Sequence, residues 1–348
     1  METFWFAVVS AMLAIYVVLD GFDFGAGIIH RLVARNDQER RMVLAAIGPV
    51  WDGNEVWLIA GGGILFFAFP RAYAAAFSGF YLPLMIVLWL LILRGIAIDL
   101  RSHHENPLWR EFWDSTFSFA SVLLALVLGT ALGNVLRGVP LSAEGYFAMP
   151  LFTNFRPDQD PGVFDWYTLL VGIFTLCVLA GHGALYLIWK TTGPVQQRSR
   201  LFARRAWLAA LPLWLLSTLA TIWLHPQLYI NLWARRWPLG LVIVVFASLV
   251  GVFRFHRQGR ELAAFLSSSL FLLSILAATM AGNYPDLLRS TINPAFNITA
   301  ENAATGPYGL RVGLAWWALG MTLTIAYFLY LFRSFRGKVE PPSSGHGY

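Results

Sequence analysis

Two stretches of the sequence place carboxylates three residues apart inside long apolar segments. Asp20 and Asp23 lie in the first segment, and Asp52 and Glu55 lie in the second, close to Trp57. An ionised side chain at the centre of a membrane-spanning helix costs at least ~2.5 kcal/mol, so it usually faces a bundle interior, a partner or a water path. The two pairs therefore predict either a buried ion network or a chain of proton-exchanging groups.

The third apolar segment adds Arg94 and Asp99 to these acids. If the segments pack as helices, Arg94 can neutralise one or two of the acids and fix the packing, while the other acids bond to backbone or water. Alternatively, the same groups can pass protons between them. The residues by themselves leave both interpretations open.

The composition excludes a water-soluble domain. Of 348 residues, 57% are hydrophobic and 13% are charged, with 27 Phe and 15 Trp, which is typical of an integral membrane protein. The net charge of +6 does not indicate a nucleic-acid partner, because the basic residues lie in short loops between apolar segments. The only cysteine, Cys177, excludes an intrachain disulfide. We therefore predict an all-α integral membrane protein in contact with the lipid bilayer.

The sequence contains nine apolar segments that are long enough to cross a bilayer as helices. They run approximately over residues 3–32, 42–70, 73–100, 112–136, 166–189, 206–224, 238–255, 262–280 and 313–331. Seventeen Lys and Arg residues lie in the loops and tail on one side and seven in the alternate loops, which predicts an external amino terminus and a cytoplasmic carboxyl terminus. We expect one membrane domain over residues 1–348, with a four-helix bundle over 1–138 and a second bundle plus one extra helix over 139–348.

The candidate cofactor ligands are few. Haem or a transition metal in a helix bundle needs inward ligands, usually paired His or His with Met. His182 is the only histidine well inside a predicted span, because the others lie in loops, at helix ends or in the tail. It indicates a buried hydrogen-bonded side chain or a second polar path. Glu55 could ligate a metal, but no second ligand is spaced with it. We predict no metal site in this chain, and no P-loop, GxGxxG, GxSxG, HExxH or CxxC motif occurs.

Several motifs together resemble subunit II of cytochrome bd-type quinol oxidases, including the cyanide-insensitive branch. They are LDGFDFGAG (19–27), RNDQERR (35–41), GPVWDGNEVWL (48–58), FPRAYAAAFSGFYLPL (69–84), LRGIAIDLRS (93–102), FWD (112–114) and GHGALYL (181–187). Order and spacing agree over the first 138 residues, and the second half is matched by GHGALYL, by helix number and by the polar loop before the last span.

The resemblance implies a respiratory complex in the bacterial cytoplasmic membrane that oxidises quinol and reduces O2 to water. It also implies a partner, subunit I, that carries the quinol site, two haem b and one haem d, or haem b only in the cyanide-insensitive branch. Subunit II would bind no haem, stabilise the haem-bearing subunit in a pseudo-symmetric heterodimer, and in some relatives hold a structural quinone. A small single-span third subunit often accompanies the two.

The resemblance further implies cytoplasmic proton uptake through Asp20, Asp23, Asp52 and Asp99, with Arg94 as the internal cation. Trp57 matches a position near a proposed oxygen entrance, although packing in the core with the indole N–H bonded internally explains it equally well. The role of Glu55 is left open.

A proton-coupled transporter that uses the acid cluster as its coupling site is the alternative from another class. Such transporters tend to have repeats and broken helices around a midplane site, and the concentration of intramembrane charge in the first half of this chain argues against one.

Overall fold

The computed structural model describes residues 1–158 and 160–339. These residues form α-helices joined by loops, two short 3-10 turns (Arg101–His103 and Pro294–Phe296) and one small β-hairpin. The helices are α1 Glu2–Val33, α2 Asp37–Ile47, α3 Trp51–Ala68, α4 Pro70–Gly79, α5 Tyr81–Leu100, α6 Pro107–Arg137, α7 Trp166–Lys190, α8 Gly193–Leu224, α9 Pro226–Arg235, α10 Leu239–Arg257, α11 Glu261–Asn283 and α12 Pro307–Ser334.

Within the described residues, eight helices are long and apolar enough to cross a membrane: α1, α5, α6, α7, α8, α10, α11 and α12. These eight correspond to eight of the nine predicted segments. The remaining segment contains α3, which has 18 residues but begins with polar and charged side chains, so length and hydropathy do not identify it as a span. The all-helical membrane fold is confirmed, and nine spans stay a prediction.

Two predicted segments are not single helices. The segment over 42–70 is divided between α2 and α3 by Gly48–Val50, which includes Pro49, and the segment over 73–100 is divided between α4 and α5 at Phe80. Proline occupies the first position of α4, where its missing N–H leaves no hydrogen bond unmade. The break before α3 has a consequence for the acids, because it places Asp52 in the first turn of a helix rather than in its middle.

The centre of the molecule is α1, which packs against α3, α6, α7 and α11. It approaches α7 so closely that a Cβ on Gly25 would lie 2.1 Å from the Leu179 carbonyl oxygen, and a Cβ on Gly183 would lie 2.3 Å from the Gly25 carbonyl carbon. Only glycine allows two helix backbones to approach this closely. The buried acids of α1 are therefore held by a rigid crossing of two helices.

The two sequence halves meet along α1, α6 and α7. In the first half α3 packs on α1 and α5 on α6, and in the second half α8 and α11 pack on α7, and α10 on α11. The hydrophobic stretch of α12 is not buried within the chain, although Trp5 of α1 donates to the Leu310 carbonyl of α12. The predicted range 139–348 runs past residue 339, so its last residues lie outside the described part of the chain.

The two long connections cover the end of the bundle opposite to α2. A hairpin pairs β1 Asp286–Leu288 with β2 Ile298–Thr299, and Val139 forms a parallel bridge with Ser290. At the same end, Arg137 forms a buried ion pair with Asp165. Asp165 also begins α7, since its side chain accepts from the Thr168 backbone N–H at 2.9 Å. The connection between the halves is thereby fixed to both α6 and α7.

Candidate functional site

A buried arginine joins the first three predicted spans. Arg94 of α5 is completely buried and forms ion pairs with Asp20 of α1 and with Glu55 of α3, the latter at 3.0 Å between Nη2 and Oε2. Its guanidinium carbon also lies 4.5 Å from the centre of the Phe24 ring. Because an unpaired buried charge is strongly destabilising, the two acids and the aromatic face explain how a cation can occupy this position.

A second buried acid lies one turn further along α1. The Asn54 side chain of α3 donates a hydrogen bond of 2.8 Å to Asp23 Oδ2. Among the described residues, Asp23 Oδ1 has no hydrogen-bond partner, and no cation pairs with this carboxyl group. Asp20 Oδ2 likewise lacks a hydrogen-bond partner, but Asp20 is paired with Arg94. Asp23 is therefore the buried acid of α1 that has both an unpartnered carboxyl oxygen and no cation beside it among the described residues.

Two of the predicted site residues lie away from Arg94. Asp52 is exposed in the first turn of α3, and Asp99 is exposed near the end of α5, where its backbone carbonyl is 2.9 Å from His103 Nδ1. The Glu55 side chain is 21% exposed, so it connects the buried ion pair with the surface. The structure thus brings Asp20, Glu55 and Arg94 together and leaves the other two acids at the surface.

Trp57 is buried and packs against Phe328 of α12, with 5.7 Å between the ring centres. Its indole nitrogen has no hydrogen-bond partner among the described residues, contrary to the internal acceptor expected for a packed tryptophan. Trp57 therefore marks the seam between α3 and α12.

His182 is completely buried with both ring nitrogens engaged. Nε2 lies 3.0 Å from the Val18 carbonyl oxygen and Nδ1 lies 2.7 Å from Ser268 Oγ. Since a carbonyl can only accept, Nε2 carries a proton and donates it. The ring also stacks on Phe265 at 5.0 Å. Of the interpretations that the sequence left open, the buried hydrogen-bonded histidine describes this geometry.

A second charged network, which sequence reasoning did not predict, lies at the end of the bundle near α2. His30 Nε2 lies 2.7 Å from Asp114 Oδ1, and Arg101 Nε donates to the same oxygen at 2.7 Å; all three side chains are buried. The remaining members are charged residues of α1, α2 and α6: Arg31, Asp37, Arg40, Arg110 and Glu111. The sequence signal for this network was the acid in the FWD motif, Asp114, together with loops rich in arginine. The sequence could not show that Asp114 contacts His30, because the two residues lie 84 positions apart.

The same end carries a contact between the two halves. Arg198 of α8 pairs with Glu39 of α2 at 2.7 Å and donates to the Val33 carbonyl at 2.8 Å. Burial alone would raise the pKa of Glu39, but the hydrogen bonds from Arg198 and from the Arg35 backbone hold that pKa below its ordinary value. Within residues 1–158 and 160–339, no group of three or more His, Cys, Asp or Glu side chains could hold a metal ion.

Residues 1–335 match the family model of cytochrome bd terminal oxidase subunit II. The chain belongs to that family. The cytochrome bd-I ubiquinol oxidase subunit 2 of Escherichia coli K12 is 40% identical over 219 residues, which are 63% of this chain and 56% of that protein. The match thus spans little more than half the length of that relative.

Other relatives of this subunit II match over more of their length. The cytochrome bd ubiquinol oxidase subunit 2 of Bacillus subtilis is 30% identical over 316 residues, 88% of each chain. A chain in the structure of bd oxidase from Geobacillus thermodenitrificans superimposes with a TM-score of 0.73 at 21% identity, covering 96% of this chain and 98% of that one, and so shares its fold. With its eight apolar helices, this subunit II is a multi-pass protein of the bacterial inner membrane.

Proposed function

We propose that the chain is the subunit II of a quinol:O2 oxidoreductase that takes electrons from quinol and reduces dioxygen to water. The match of residues 1–335 to the subunit II family carries this proposal, and the relatives are named as ubiquinol oxidase subunits. The haems, two b and one d or b only, would lie in the partner subunit I. A third, single-span subunit would complete the complex, and the proton-coupled transporter is not favoured.

The contribution of this chain would be to stabilise subunit I and to admit protons. The positive-inside rule assigns the end that carries α2 and the arginine-rich network to the cytoplasm, and the amino terminus to the outside, with nine spans arranged as two bundles and one extra helix. The exposed Asp52 and Asp99 would then receive protons near the cytoplasm. Glu55, which is partly exposed, would lead from them to the buried cluster.

The contacts of Arg94 suggest which acid exchanges protons. Asp20 and Glu55 are both engaged in neutralising the arginine, and each would have to give up an ion pair in order to take up a proton. Asp23 has only the neutral partner Asn54, so protonation there disturbs no ion pair. We therefore assign the central relay position to Asp23, with Asp20 and Arg94 fixing the electrostatic field around it.

Substitution of Asp23 by Asn tests this assignment, because the change removes the titratable group and keeps its shape and its neighbours. We expect quinol oxidase turnover to fall by at least ~10-fold, while the haem spectrum per complex and the yield of complex stay at wild-type values. The matched control is Asp160→Asn, in the exposed loop at the opposite end, which should leave turnover unchanged.

Two results would contradict the proposal. Normal turnover in Asp23→Asn with full haem content would remove this residue from the proton path and leave the chain a scaffold only. A colourless wild-type preparation that contains no larger haem-bearing partner would refute the oxidase assignment as a whole. A red-region chlorin band in the reduced-minus-oxidised spectrum would indicate haem d in the partner, and haem b bands alone would indicate the cyanide-insensitive type.

An apolar cavity suggests how the chain would hold a structural quinone. The cavity measures about 390 Å³ and is bounded by α1 and by α6 to α11. Its walls are apolar except for a few hydroxyl groups such as those of Ser217 and Thr218, which suits an isoprenoid tail better than a charged ligand. Solvent extraction of the purified complex should recover quinone. If no quinone is recovered, the proposal of a structural quinone is wrong and the cavity is filled by another lipid.

The contact between Trp57 and α12 suggests the position of oxygen access. O2 is apolar and can enter a protein from the hydrocarbon core, and the seam between α3 and α12 presents apolar side chains around Trp57, whose closest ring neighbour is Phe328. We propose that this seam leads O2 toward the partner subunit. Replacing Trp57 by Phe should change the apparent KM for O2 without changing haem content, and an unchanged KM would exclude this route.

A further inference from the structure

Four cationic side chains are buried in the described part of the chain, and three of them have a carboxylate partner. Arg94, Arg101 and Arg137 are each less than about a tenth exposed and each contacts at least one acid. The fourth, Lys190 at the end of α7, is only 6% exposed, and no acid of the described residues pairs with it. This difference singles out the environment of Lys190.

The Lys190 ammonium contacts neutral groups within the described part of the chain. It donates one hydrogen bond of 2.6 Å to the Phe335 carbonyl oxygen and lies 5.2 Å from the centre of the Trp189 ring. An ammonium carries three donors, so two are not used by these contacts. A buried charge without a counter-charge is costly, and these neighbours offset only part of that cost.

The ammonium borders a cavity of about 290 Å³ at the end of the bundle that carries α2. The cavity lies between the end of α2, the end of α7, and the end of α12 with the segment that follows it, to which Phe332 and residues 334–339 contribute. Arg336 is a second cation in its wall, is exposed, and forms no ion pair with the described residues. No acid among the described residues lines the cavity.

The third cation of the wall, Lys338, is already paired with an acid. Lys338 Nζ donates to the Ile188 and Thr191 carbonyl oxygens at 3.1 and 2.9 Å and pairs with Glu261 at 2.7 Å. The backbone N–H of Val339 also donates to the Lys190 carbonyl at 2.7 Å. These contacts hold the segment after α12 against α7, so that the two unpaired cations, Lys190 and Arg336, line the same cavity.

We infer that this cavity binds the phosphate group of an anionic ligand, with Lys190 and Arg336 as the cationic partners. Lysine and arginine both bind phosphate through charge-assisted hydrogen bonds. The other walls include Pro49, Val50 and Phe332, which suit the glycerol and first methylenes of a phospholipid at the membrane surface. A free phosphate group is the second source of the same chemistry.

The test uses the full complex, purified and stripped of lipid by prolonged detergent exchange. Native mass spectrometry then measures binding of dioctanoyl phosphatidylglycerol with and without excess inorganic phosphate. We expect one tightly bound lipid in the wild type. Lys190→Gln and Arg336→Gln should each weaken it by at least ~10-fold, whereas Lys190→Arg should retain it. Arg333→Gln is the matched control, since it removes an exposed charge one turn away that does not line the cavity.

The outcomes separate the sources and the alternatives. Binding that phosphate does not displace identifies a lipid, and displacement by phosphate identifies a site for the free anion. Absence of any bound lipid or phosphate in the wild type overturns the inference, as does binding in the two Gln variants that is as tight as in the wild type. Glu340 lies outside the described residues. If lipid or phosphate binds to Glu340→Gln but not to the wild type, the carboxylate of Glu340 is the anion that the two cations bind, and the proposal is also overturned. The readout is binding and does not depend on oxidase activity.

Discussion

Removing both acids that contact Arg94 should destabilise the protein by more than the sum of the two single changes. Asp20→Asn leaves the guanidinium paired with Glu55, and Glu55→Gln leaves it paired with Asp20. Each single variant therefore loses one charge-assisted hydrogen bond but keeps the buried cation neutralised. The double variant leaves Arg94, which is fully buried, without any counter-charge.

The magnitudes follow from burial. The Glu55 side chain is 21% exposed, so its loss should cost ~1 kcal/mol, and the loss of the fully buried Asp20 carboxylate should cost ~1.5–2 kcal/mol. A buried charge left without its partner costs ~3–5 kcal/mol. The expected excess of the double variant over the sum of the singles is therefore on the order of 1 kcal/mol, within the range found for residues that share a partner.

The thermal midpoint of the purified complex, followed by fluorescence-detected size-exclusion chromatography after heating, measures these effects. An excess of ~1 kcal/mol corresponds to about 2–4 °C. The control pair is Asp52→Asn with Glu105→Gln, two exposed acids outside the ion pair, whose effects should be small and additive. Additive or less than additive losses in the Asp20 and Glu55 variants would refute the idea that the two acids share one cation.

Two further predictions concern the crossing of α1 with α7 and the pH dependence of stability. Gly25→Ala should reduce the yield of monodisperse protein, because the new Cβ would lie 2.1 Å from a backbone oxygen of α7. The control Gly62→Ala should be tolerated, because its Cβ meets nothing within 4 Å. Equal yields of the two variants would contradict the close approach of α1 and α7. Burial, and then the charge of Arg289, lowers the pKa of His225 to about 4, so the folded state favours the neutral ring. The stability that the neutral His225 ring contributes is complete above the unfolded pKa near 6.5 and is lost as pH falls toward 4. Between these two pH values, the thermal midpoint should therefore fall less in His225→Gln than in the wild type. If the midpoints of the two proteins fall in parallel with pH, the effect is excluded.

The fold class and most helices could be predicted because they depend on local features of the sequence. Long apolar segments require helices in lipid, since every backbone polar group must be satisfied internally, and the eight apolar helices lie where the sequence indicated. The breaks at Gly48–Val50 and Phe80 were not predicted, because their apolar neighbours hide them in a hydropathy profile. The family resemblance rested on motifs that are likewise continuous in the chain.

The membership of the candidate site depended on helix rotation and packing, which the sequence does not encode locally. Sequence reasoning gathered the acids of the first three spans around Arg94, but it could not tell that Asp52 and Asp99 would be exposed while Asp20 would be buried. The contact of His30 with Asp114 joins residues 84 positions apart and exists only because α1 and α6 pack side by side. The apolar pattern alone therefore determined that this chain is a helical membrane protein with buried charge, and tertiary packing decided which charges meet, because the partner of each buried charge lies on another helix.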